Sequence, residues 1–326
     1  MLTRRDVLQL AMAALPIAGL PAWAAPARPD SKFGGVQIGI IISPYNYPEI
    51  PVRADELLST LVQLGISAIE MQDVRVETYA GAPSLPREGY SGSPSTAPGG
   101  QALSAQEQEA ARQKTVEQLR QWRLSAPLHK YKALKKLYQD AGVDIYAFRL
   151  ANMTQDMPDS EYEYFFNAAK ALGANQVTVE LPEDPKLTER VGKFAAKYKI
   201  RMGYHNHTQV NAQSWDVALA QSPYNGINLD VGHYAAATNE SPIPFIKEHH
   251  DRITSLHLKD RRFRINGGRN MPWGQGETPL KDILLLVKTE QYSFPAAIEL
   301  EYRIPPGSTA TAEIAKCLQF CKEILT

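Results

Sequence analysis

Four side chains that can bind a metal ion or move a proton follow short apolar runs in this sequence. Each run breaks off at an acid or an imidazole and continues as a polar segment, which is typical of a buried parallel strand ending at a working surface. The four residues are Glu180, Asp230, His257 and Glu299, separated by 50, 27 and 42 positions. Because these spacings are long, the cluster can form only where the tertiary fold brings the strand ends together.

Three carboxylates and one imidazole in one place imply a compensating cation. Neighbouring carboxylates raise one another's pKa unless positive charge is present. A single acid at a strand end is more often a helix cap or an ion-pair partner, but four such ends together favour a metal site. An oxygen-rich set with one nitrogen suits Mn²⁺, Mg²⁺, Co²⁺ or Zn²⁺. We predict one divalent ion, Mn²⁺ first among these, bound by Glu180, Asp230, His257 and Glu299.

Further polar residues stand beside the predicted metal ligands. His205 and His207 alternate at a strand end and therefore share one face. We predict that His205, His207 or Glu299 moves a proton during catalysis. The basic run 259–264 is either a solvated loop or a substrate anchor. The predicted substrate-binding residues are His233, Lys259, Glu301 and Trp273, and Glu301 is also the alternative to Glu299 as a metal ligand.

Eight apolar runs have the pattern of strands, and most are followed by a helical pattern. The predicted strands are 36–42, 68–71, 143–148, 177–180, 200–204, 227–230, 253–257 and 296–299. Gly65, Gly142 and Gly173 stand where helices should stop, and the pairs Asp184-Pro185, Ser241-Pro242 and Thr278-Pro279 where helices should start. Eight strand–helix units predict an α/β protein with a (β/α)8 TIM barrel as a single domain, 35–326, with working residues at the carboxyl ends of the strands. The alternative, an open doubly wound sheet, lacks a Gly-x-Gly-x-x-Gly motif after any strand.

The composition is that of an ordinary globular protein. The 326 residues include 35 basic and 35 acidic side chains, and this balance argues against nucleic acid as a partner. Cys317 and Cys321 are four positions apart, a helical spacing that suits two thiols on one helix face better than a disulfide. Nucleic acid is therefore not the expected partner, and the oligomeric state is left open.

Residues 1–24 have the pattern of an export signal. Arg4-Arg5 precede an apolar run from Leu8 to Leu20, and Ala22-Trp23-Ala24 resembles a cleavage site. This predicts twin-arginine export to the periplasm or beyond, no membrane contact after cleavage, and a linker over 25–34. A membrane anchor is the alternative, although the apolar run is shorter than the ~20 residues that a span requires.

The region 74–127 departs from the regular strand–helix alternation. Residues 79–101 are rich in Gly, Pro and Ser, and Ser104-Ala-Gln-Glu107 predicts a capping box at the start of a helix that ends near Arg123. Loops of this length are unusual unless they are functional or disordered. We interpret the loop as a lid over the catalytic face; a passive insertion or an oligomer contact is the alternative.

Over residues 36–322 the chain resembles the xylose isomerase-like TIM-barrel family of sugar phosphate isomerases and epimerases, which also contains inosose dehydratases. The resemblance is carried by the segments Asp230–His233, His257–Asp260, Trp273–Glu277 and Ile298–Glu301. It implies one divalent metal held by an acid together with Asp230, His257 and Glu299. Where the epimerases carry a glutamate on the fifth strand, this chain has His205-Asn-His207, so Glu180 is expected to supply the missing carboxylate.

The resemblance implies proton abstraction next to a sugar carbonyl, with the metal stabilising the enediolate. Isomerisation, epimerisation and elimination, as in a dehydratase or lyase, all follow from that step. Because export separates the protein from most phosphorylated metabolites, we expect a keto-sugar, a cyclitol or a keto-glycoside as substrate. The rival interpretations are a non-catalytic exported sugar-binding protein and, more remotely, an endonuclease IV-like repair enzyme.

Overall fold

The computed structural model describes residues 28–44, 46–83 and 104–326. The predicted export signal (1–24) and most of the glycine-rich loop lie outside the described residues, so the signal and the lid stay predictions. In the described part no helix is both long and apolar enough to cross a membrane.

Eight parallel strands among the described residues close into a barrel. The strands of this part of the chain are β1 (Lys32–Phe33), β2 (Val36–Ile41), β3 (Ala68–Gln72), β4 (Asp144–Arg149), β5 (Gln176–Glu180), β6 (Arg201–His205), β7 (Asn225–Asp230), β8 (Ile253–Leu258), β9 (Asp260–Arg261), β10 (Asn270–Met271) and β11 (Ala296–Glu299). The barrel order is β2-β3-β4-β5-β6-β7-β8-β11, and β11 pairs with β2 to close it. This confirms the predicted (β/α)8 barrel, with all eight predicted strands shifted by two residues at most.

Helices surround the barrel and bury their apolar faces against it. Their bounds are Ala54–Leu64, Asp73–Ala80, Ala105–Leu124, Leu128–Ala141, Asp159–Leu172, Pro185–Tyr198, Asp216–Gln221, Val231–Thr238, Ile243–His249, Leu280–Thr289 and Ala310–Leu325, with a 3-10 turn at Arg264–Asn266. The strands and helices share one apolar core, as expected of a single domain. Cys317 and Cys321 are free, buried thiols on the last helix, as predicted.

The helix ends follow the predicted signals at most positions. Gly65, Gly142 and Gly173 each end a helix in the left-handed conformation, with φ of 75°, 84° and 82°, which glycine adopts at no steric cost. Asp184 caps its helix through the backbone N–H of Lys186. At the other two predicted starts the helix begins one residue later than expected, at Ile243 and Leu280, and the proline itself occupies the capping position.

The segment expected to be a linker is partly structured. Lys32–Phe33 pairs antiparallel with β2, and the buried Ser31 donates a hydrogen bond to the Ile38 carbonyl oxygen at 2.6 Å. The predicted linker boundary at residue 34 is therefore too late, because a β-strand pairing already begins at Lys32.

The helix Ala105–Leu124 begins with the predicted capping box. The Ser104 hydroxyl accepts a bond from the Glu107 N–H at 3.3 Å, and the Ser104 N–H donates to the Glu107 carboxylate at 2.9 Å. The helix ends at Leu124, one residue beyond the prediction. Its carboxyl-terminal half packs on the helix Asp159–Leu172, which places it beside the carboxyl end of the barrel.

Candidate metal centre and active site

The barrel brings His205, Asp230, His257 and Glu299 together at the carboxyl ends of four strands. Each offers one ligand atom, and these atoms lie within 4.8 Å of one another. The register of β7 and β8 places Asp230 directly beside His257. Three of the four predicted metal ligands thus meet here, and the fourth position is taken by His205, for which the sequence suggested a catalytic role.

Glu180, the remaining predicted ligand, lies in a neighbouring group with His205 and His207. One oxygen of its carboxylate pairs with the Arg149 guanidinium, and the other lies 3.2 Å from Nδ1 of His207. Burial alone would raise the pKa of Glu180, but the hydrogen bond from His207 and the charge of Arg149 lower it. Glu180 therefore orients His207 instead of facing the first cluster.

The amide of Asn228 fixes the orientation of His205. Its Nδ2 donates to the Glu70 carboxylate at 3.1 Å and to the Ser255 hydroxyl at 2.7 Å, so its oxygen must face His205 Nδ1, at 2.8 Å. Since that oxygen only accepts, His205 carries its proton on Nδ1 and keeps a lone pair on Nε2. Burial, reinforced by the charge of His257, holds the pKa of His205 well below its usual range. A neutral imidazole with a free nitrogen is the form that binds a metal ion.

His257 is held between two carboxylates. Its Nδ1 lies 2.9 Å from Glu299 and its Nε2 lies 2.9 Å from Glu70. Burial lowers the pKa of His257, but the two carboxylates outweigh it and raise the pKa to about 10. Glu70 also accepts a bond from the Thr178 hydroxyl at 2.6 Å. Glu70 can therefore hold Nε2 while Nδ1 faces the cluster, an arrangement common behind metal-binding histidines.

The ammonium group of Lys259 compensates the acids on the other side of the cluster. It lies 2.9 Å from Asp230, 3.3 Å from Glu299 and 2.7 Å from Glu301. Burial would raise the pKa of Glu299, but Lys259 and His257 hold it well below its usual range. Burial raises the pKa of Asp230, and Lys259 opposes this shift only in part. Of the two carboxylates, Asp230 is therefore the one that a further cation would stabilise more.

The predicted substrate-binding residues lie behind this cluster. The ring nitrogens of His233 face Lys259 Nζ, at 2.9 Å, and the guanidinium of Arg261. Burial and the charge of Lys259 lower the pKa of His233, so the ring is neutral. None of His233, Lys259 and Glu301 lines the main cavity in the described part of the chain.

The segment Trp273–Glu277 surrounds a carboxylate of the protein itself. Asp260 accepts hydrogen bonds from the N–H groups of Gly274 and Gly276, both at 2.8 Å. A Cβ on Gly276 would lie 2.0 Å from an Asp260 oxygen, so only glycine fits there. The Trp273 ring packs edge-on against Phe320 of the last helix. The structure thus places Trp273 in a supporting loop, away from the cavity.

The main cavity opens directly onto the cluster and has a volume of about 600 Å³. Its floor is formed by Arg149, Glu180, His205, His207, His257 and Glu299. The side chain of His207 is 50% exposed toward this space, and the hydrogen bond to Glu180 raises its pKa. Arg149 Nη1 is buried and makes no hydrogen bond to any residue in 28–44, 46–83 or 104–326. A buried unpaired donor on a residue that lines a cavity is a candidate partner for a polar ligand atom.

Three residues of the site that the strand-end pattern did not predict carry a sequence signal of their own. Glu70 interrupts the apolar run Ala68–Met71, and a charged side chain inside a buried strand requires partners. Arg149 follows the run that ends at Phe148, the same strand-end position as the predicted ligands. Asn228 stands two residues before Asp230 and so shares its face of the strand. Shifts in strand register at Ile69/Glu70 and Ile227/Asn228 mark two of these positions.

The fold and the site together define a (β/α)8 barrel with a candidate metal centre at the carboxyl ends of its strands. The model of the family described as xylose isomerase-like TIM barrel matches residues 113–323, well over half of the chain. The chain belongs to this family.

Solved structures with the same fold are distant in sequence. An uncharacterised protein from Parabacteroides distasonis is 23% identical, with a TM-score of 0.55, and the match covers 89% of this chain and 99% of that one. The 3-keto-D-glucoside 4-epimerase from E. coli is 10% identical, with a TM-score of 0.54 and coverage of 88% and 99%. The probable 3-DHS dehydratase from Bacillus anthracis is 12% identical, with a TM-score of 0.53 and coverage of 81% and 91%. No curated protein matches the chain with significant similarity.

Proposed function

We propose that this protein is a divalent-metal-dependent enzyme that removes a proton from the carbon next to the carbonyl of a keto-sugar, a cyclitol or a keto-glycoside. The observation that carries the proposal is the grouping of His205, Asp230, His257 and Glu299 within 4.8 Å at the mouth of the barrel. Two structural neighbours support it, one an epimerase on a 3-keto-D-glucoside and the other a probable dehydratase.

The residues present fit a metal ion. Asp230 Oδ2 is buried and lies 2.9 Å from Lys259 Nζ without a hydrogen bond from the described residues. Burial raises the pKa of Asp230 despite this contact, so the carboxylate would gain from a further cation. Two imidazoles and two carboxylates suit Mn²⁺, with Co²⁺, Zn²⁺ and Mg²⁺ as alternatives. His205, Asp230, His257 and Glu299 would hold the ion, which would act as a Lewis acid toward the substrate carbonyl.

His207 is the residue best placed to move the proton. Its Nδ1 faces Glu180, so a neutral ring donates there and presents the lone pair of Nε2 to the cavity. Glu180 stabilises the ring after it accepts a proton, because the carboxylate is ionised and lies 3.2 Å away. Glu299 is less suited to this task, because Lys259 and His257 stabilise its anion and make it a weak base. We therefore assign proton transfer to His207 and metal binding to His205 and Glu299.

Arg149 is the residue best placed to orient the substrate. Arg149 lines the cavity beside Glu180, and its buried Nη1 lacks a hydrogen-bond partner among the described residues. A hydroxyl or carbonyl oxygen of the bound sugar would supply that partner. Because Glu180 already neutralises the guanidinium, a neutral oxygen suits this position better than a phosphate.

Elimination is the second candidate reaction, because it shares the first step. Return of the proton to a carbon gives isomerisation or epimerisation, whereas loss of a substituent from the neighbouring carbon gives a dehydratase or lyase. A non-catalytic sugar-binding protein is a further candidate, and it would not need the His207–Glu180 pair.

The test is solvent exchange. Protein loaded with Mn²⁺ is incubated in D₂O with oxidised glycosides, keto-cyclitols, free ketoses and ketose phosphates, and the products are followed by NMR. We expect deuterium next to the carbonyl of at least one non-phosphorylated compound, with no exchange after chelation or in Asp230→Ala. Ligand that is bound but recovered unchanged would identify a binding protein. Exchange confined to the phosphates would move the substrate class to sugar phosphates.

We also propose export through the signal in residues 1–24. The supporting observation is the pair Arg4-Arg5 followed by an apolar run and a small-residue cleavage site. Replacement of both arginines by lysine should leave the full-length protein inside the cell. Unchanged export of this variant would contradict the twin-arginine route.

A further inference from the structure

The cavity has a second end, which is walled by the helix Ala105–Leu124. Val116 and Leu119 of this helix line the space, together with Val74, Pro83 and Met157 from the segments that follow β3 and β4. Val116 is 36% exposed, a large fraction for an apolar side chain on a helix that also packs against the barrel. An exposed valine that faces a cavity is available to an apolar ligand group.

The charged residues of this wall are paired with one another. Arg123 lies 2.8 Å from Glu77 and 2.6 Å from Glu161, and Arg120 lies 3.0 Å from Glu161. Glu77 also accepts a hydrogen bond from the Tyr164 hydroxyl at 3.0 Å. Charged groups that are already paired with one another have little left to bind a ligand. The apolar side chains are therefore the groups at this end that can contact one.

The two ends of the cavity therefore differ in the polar atoms they leave free. Among the described residues that line the floor, Arg149 has a buried nitrogen without a hydrogen-bond partner. No such atom occurs on Glu77, Arg120, Arg123 or Glu161 at the wall, within the same described residues. A free donor can bind a sugar hydroxyl. A wall whose polar atoms already have hydrogen-bond partners favours a ligand group without hydroxyls.

We propose that this wall is a subsite for the apolar aglycone of a keto-glycoside, with Val116 and Leu119 as its main contacts. The assignment rests on the proposed function, since the sugar ring that it presumes is the one that reacts at the metal centre. The cavity volume of about 600 Å³ falls well within the roughly 300–1,000 Å³ typical of sites for drug-sized ligands, which are larger than one hexose. The helix Ala105–Leu124 would then select the substrate, while the strand ends carry out the chemistry.

The experiment compares three unoxidised glycosides of one sugar, which carry a methyl, a phenyl or a second glucosyl group. These compounds have no carbonyl and cannot react, so binding to the Mn²⁺-loaded protein is measured by calorimetry without turnover. We expect the phenyl glycoside to bind about tenfold more tightly than the methyl glycoside, because it buries more apolar surface. We expect the disaccharide, whose second group is larger than phenyl but polar, to lack this advantage.

The variant Val116→Asp should abolish the preference for the phenyl group, and Val116→Ser should reduce it. Val217→Asp is the matched control, because Val217 is 56% exposed on a helix that does not line the cavity. It should bind all three glycosides as the wild-type protein does. Circular dichroism checks that each variant is folded.

The outcomes separate this proposal from the proposed function. Equal affinity for the phenyl and methyl glycosides, or a phenyl preference that survives in both Val116 variants, overturns the subsite. Tighter binding of the disaccharide than of the phenyl glycoside overturns its apolar character. The proposed function is tested independently by deuterium exchange into aglycone-free keto-sugars with wild-type protein, and failure there leaves the binding comparison intact.

Discussion

The carboxylate of Glu70 lies 2.9 Å from Nε2 of His257, although the two residues are 187 positions apart in the chain. Because Glu70 is buried and its hydrogen bonds orient the imidazole, it should control how well His257 binds a metal. Glu70→Gln keeps the shape of the side chain and removes its charge. We expect the affinity for Mn²⁺ to fall about 10- to 100-fold, as measured by calorimetry. The control is Glu163→Gln, since Glu163 pairs with Lys197 on the surface. Equal affinities in the two variants would rule out a role for Glu70.

The roles of His205 and Glu180 can be separated by their effects on metal content. His205→Ala should lose the ion, because it removes one of the four grouped ligands. Glu180→Gln should retain the ion but lose catalytic rate, because Glu180 orients His207 through a 3.2 Å contact. Metal is measured by elemental analysis and rate by deuterium exchange. Loss of metal from Glu180→Gln with retention in His205→Ala would restore Glu180 as the ligand.

Arg149 should affect substrate binding more than metal binding. Arg149→Lys keeps the positive charge beside Glu180 but removes the second guanidinium nitrogen, which has no partner among the described residues. We expect KM to rise about tenfold, the value of a hydrogen bond worth ~1–3 kcal/mol, with unchanged metal content. Arg190→Lys is the control, because Arg190 pairs with Asp159 outside the cavity. A Lys variant with wild-type KM would exclude this contact.

Metal binding should release protons. Without metal, the pKa of His257 is raised to about 10 by Glu70 and Glu299, against the effect of burial, so the ring is protonated at neutral pH. A metal ion must displace the Nδ1 proton, and its affinity should therefore fall as the pH falls. Calorimetry in two buffers with different ionisation enthalpies gives the number of protons released. A value of zero between pH 6 and 8 would contradict this protonation state.

Arg123 should be the main anchor of the helix Ala105–Leu124. Its side chain is 9% exposed and bonds to both Glu77 and Glu161. Arg123→Met leaves buried carboxylates without this partner, which should lower the free energy of unfolding by about 3–5 kcal/mol. Arg112→Ala, which breaks an exposed pair with Glu109 on the same helix, should cost less than about 1 kcal/mol. Urea unfolding compares the two variants, and similar midpoints would show that the buried network contributes little.

The periodic patterns of apolar residues were sufficient to predict the barrel. Alternating strand and helix patterns, with helix stops at Gly65, Gly142 and Gly173, predicted all eight barrel strands. Local chemistry likewise predicted the capping box at Ser104. These features depend on interactions within a few residues, such as a left-handed glycine or a side chain that caps its own helix.

The candidate site was predicted in part. Asp230, His257 and Glu299 ended apolar runs, and the barrel rule placed them at one face. The sequence could not tell that Glu180 turns toward Arg149 and His207 while His205 turns toward the other ligands. Glu180 and His205 stand side by side at the ends of adjacent strands. Side-chain contacts between strands decide which of the two joins the other ligands.

The sequence by itself determined the class of fold, the strand ends that carry chemistry and the type of ligand atoms, because these follow from local periodicity and residue type. Only the tertiary structure decided which donors meet, through Asn228 fixing the His205 ring and Glu70 fixing the His257 ring. It also decided that the helix Ala105–Leu124 walls the cavity, since that depends on pairing Arg123 with Glu77 and Glu161. These contacts join residues 23 to 187 positions apart, and no local pattern records which distant partner a buried polar group will find.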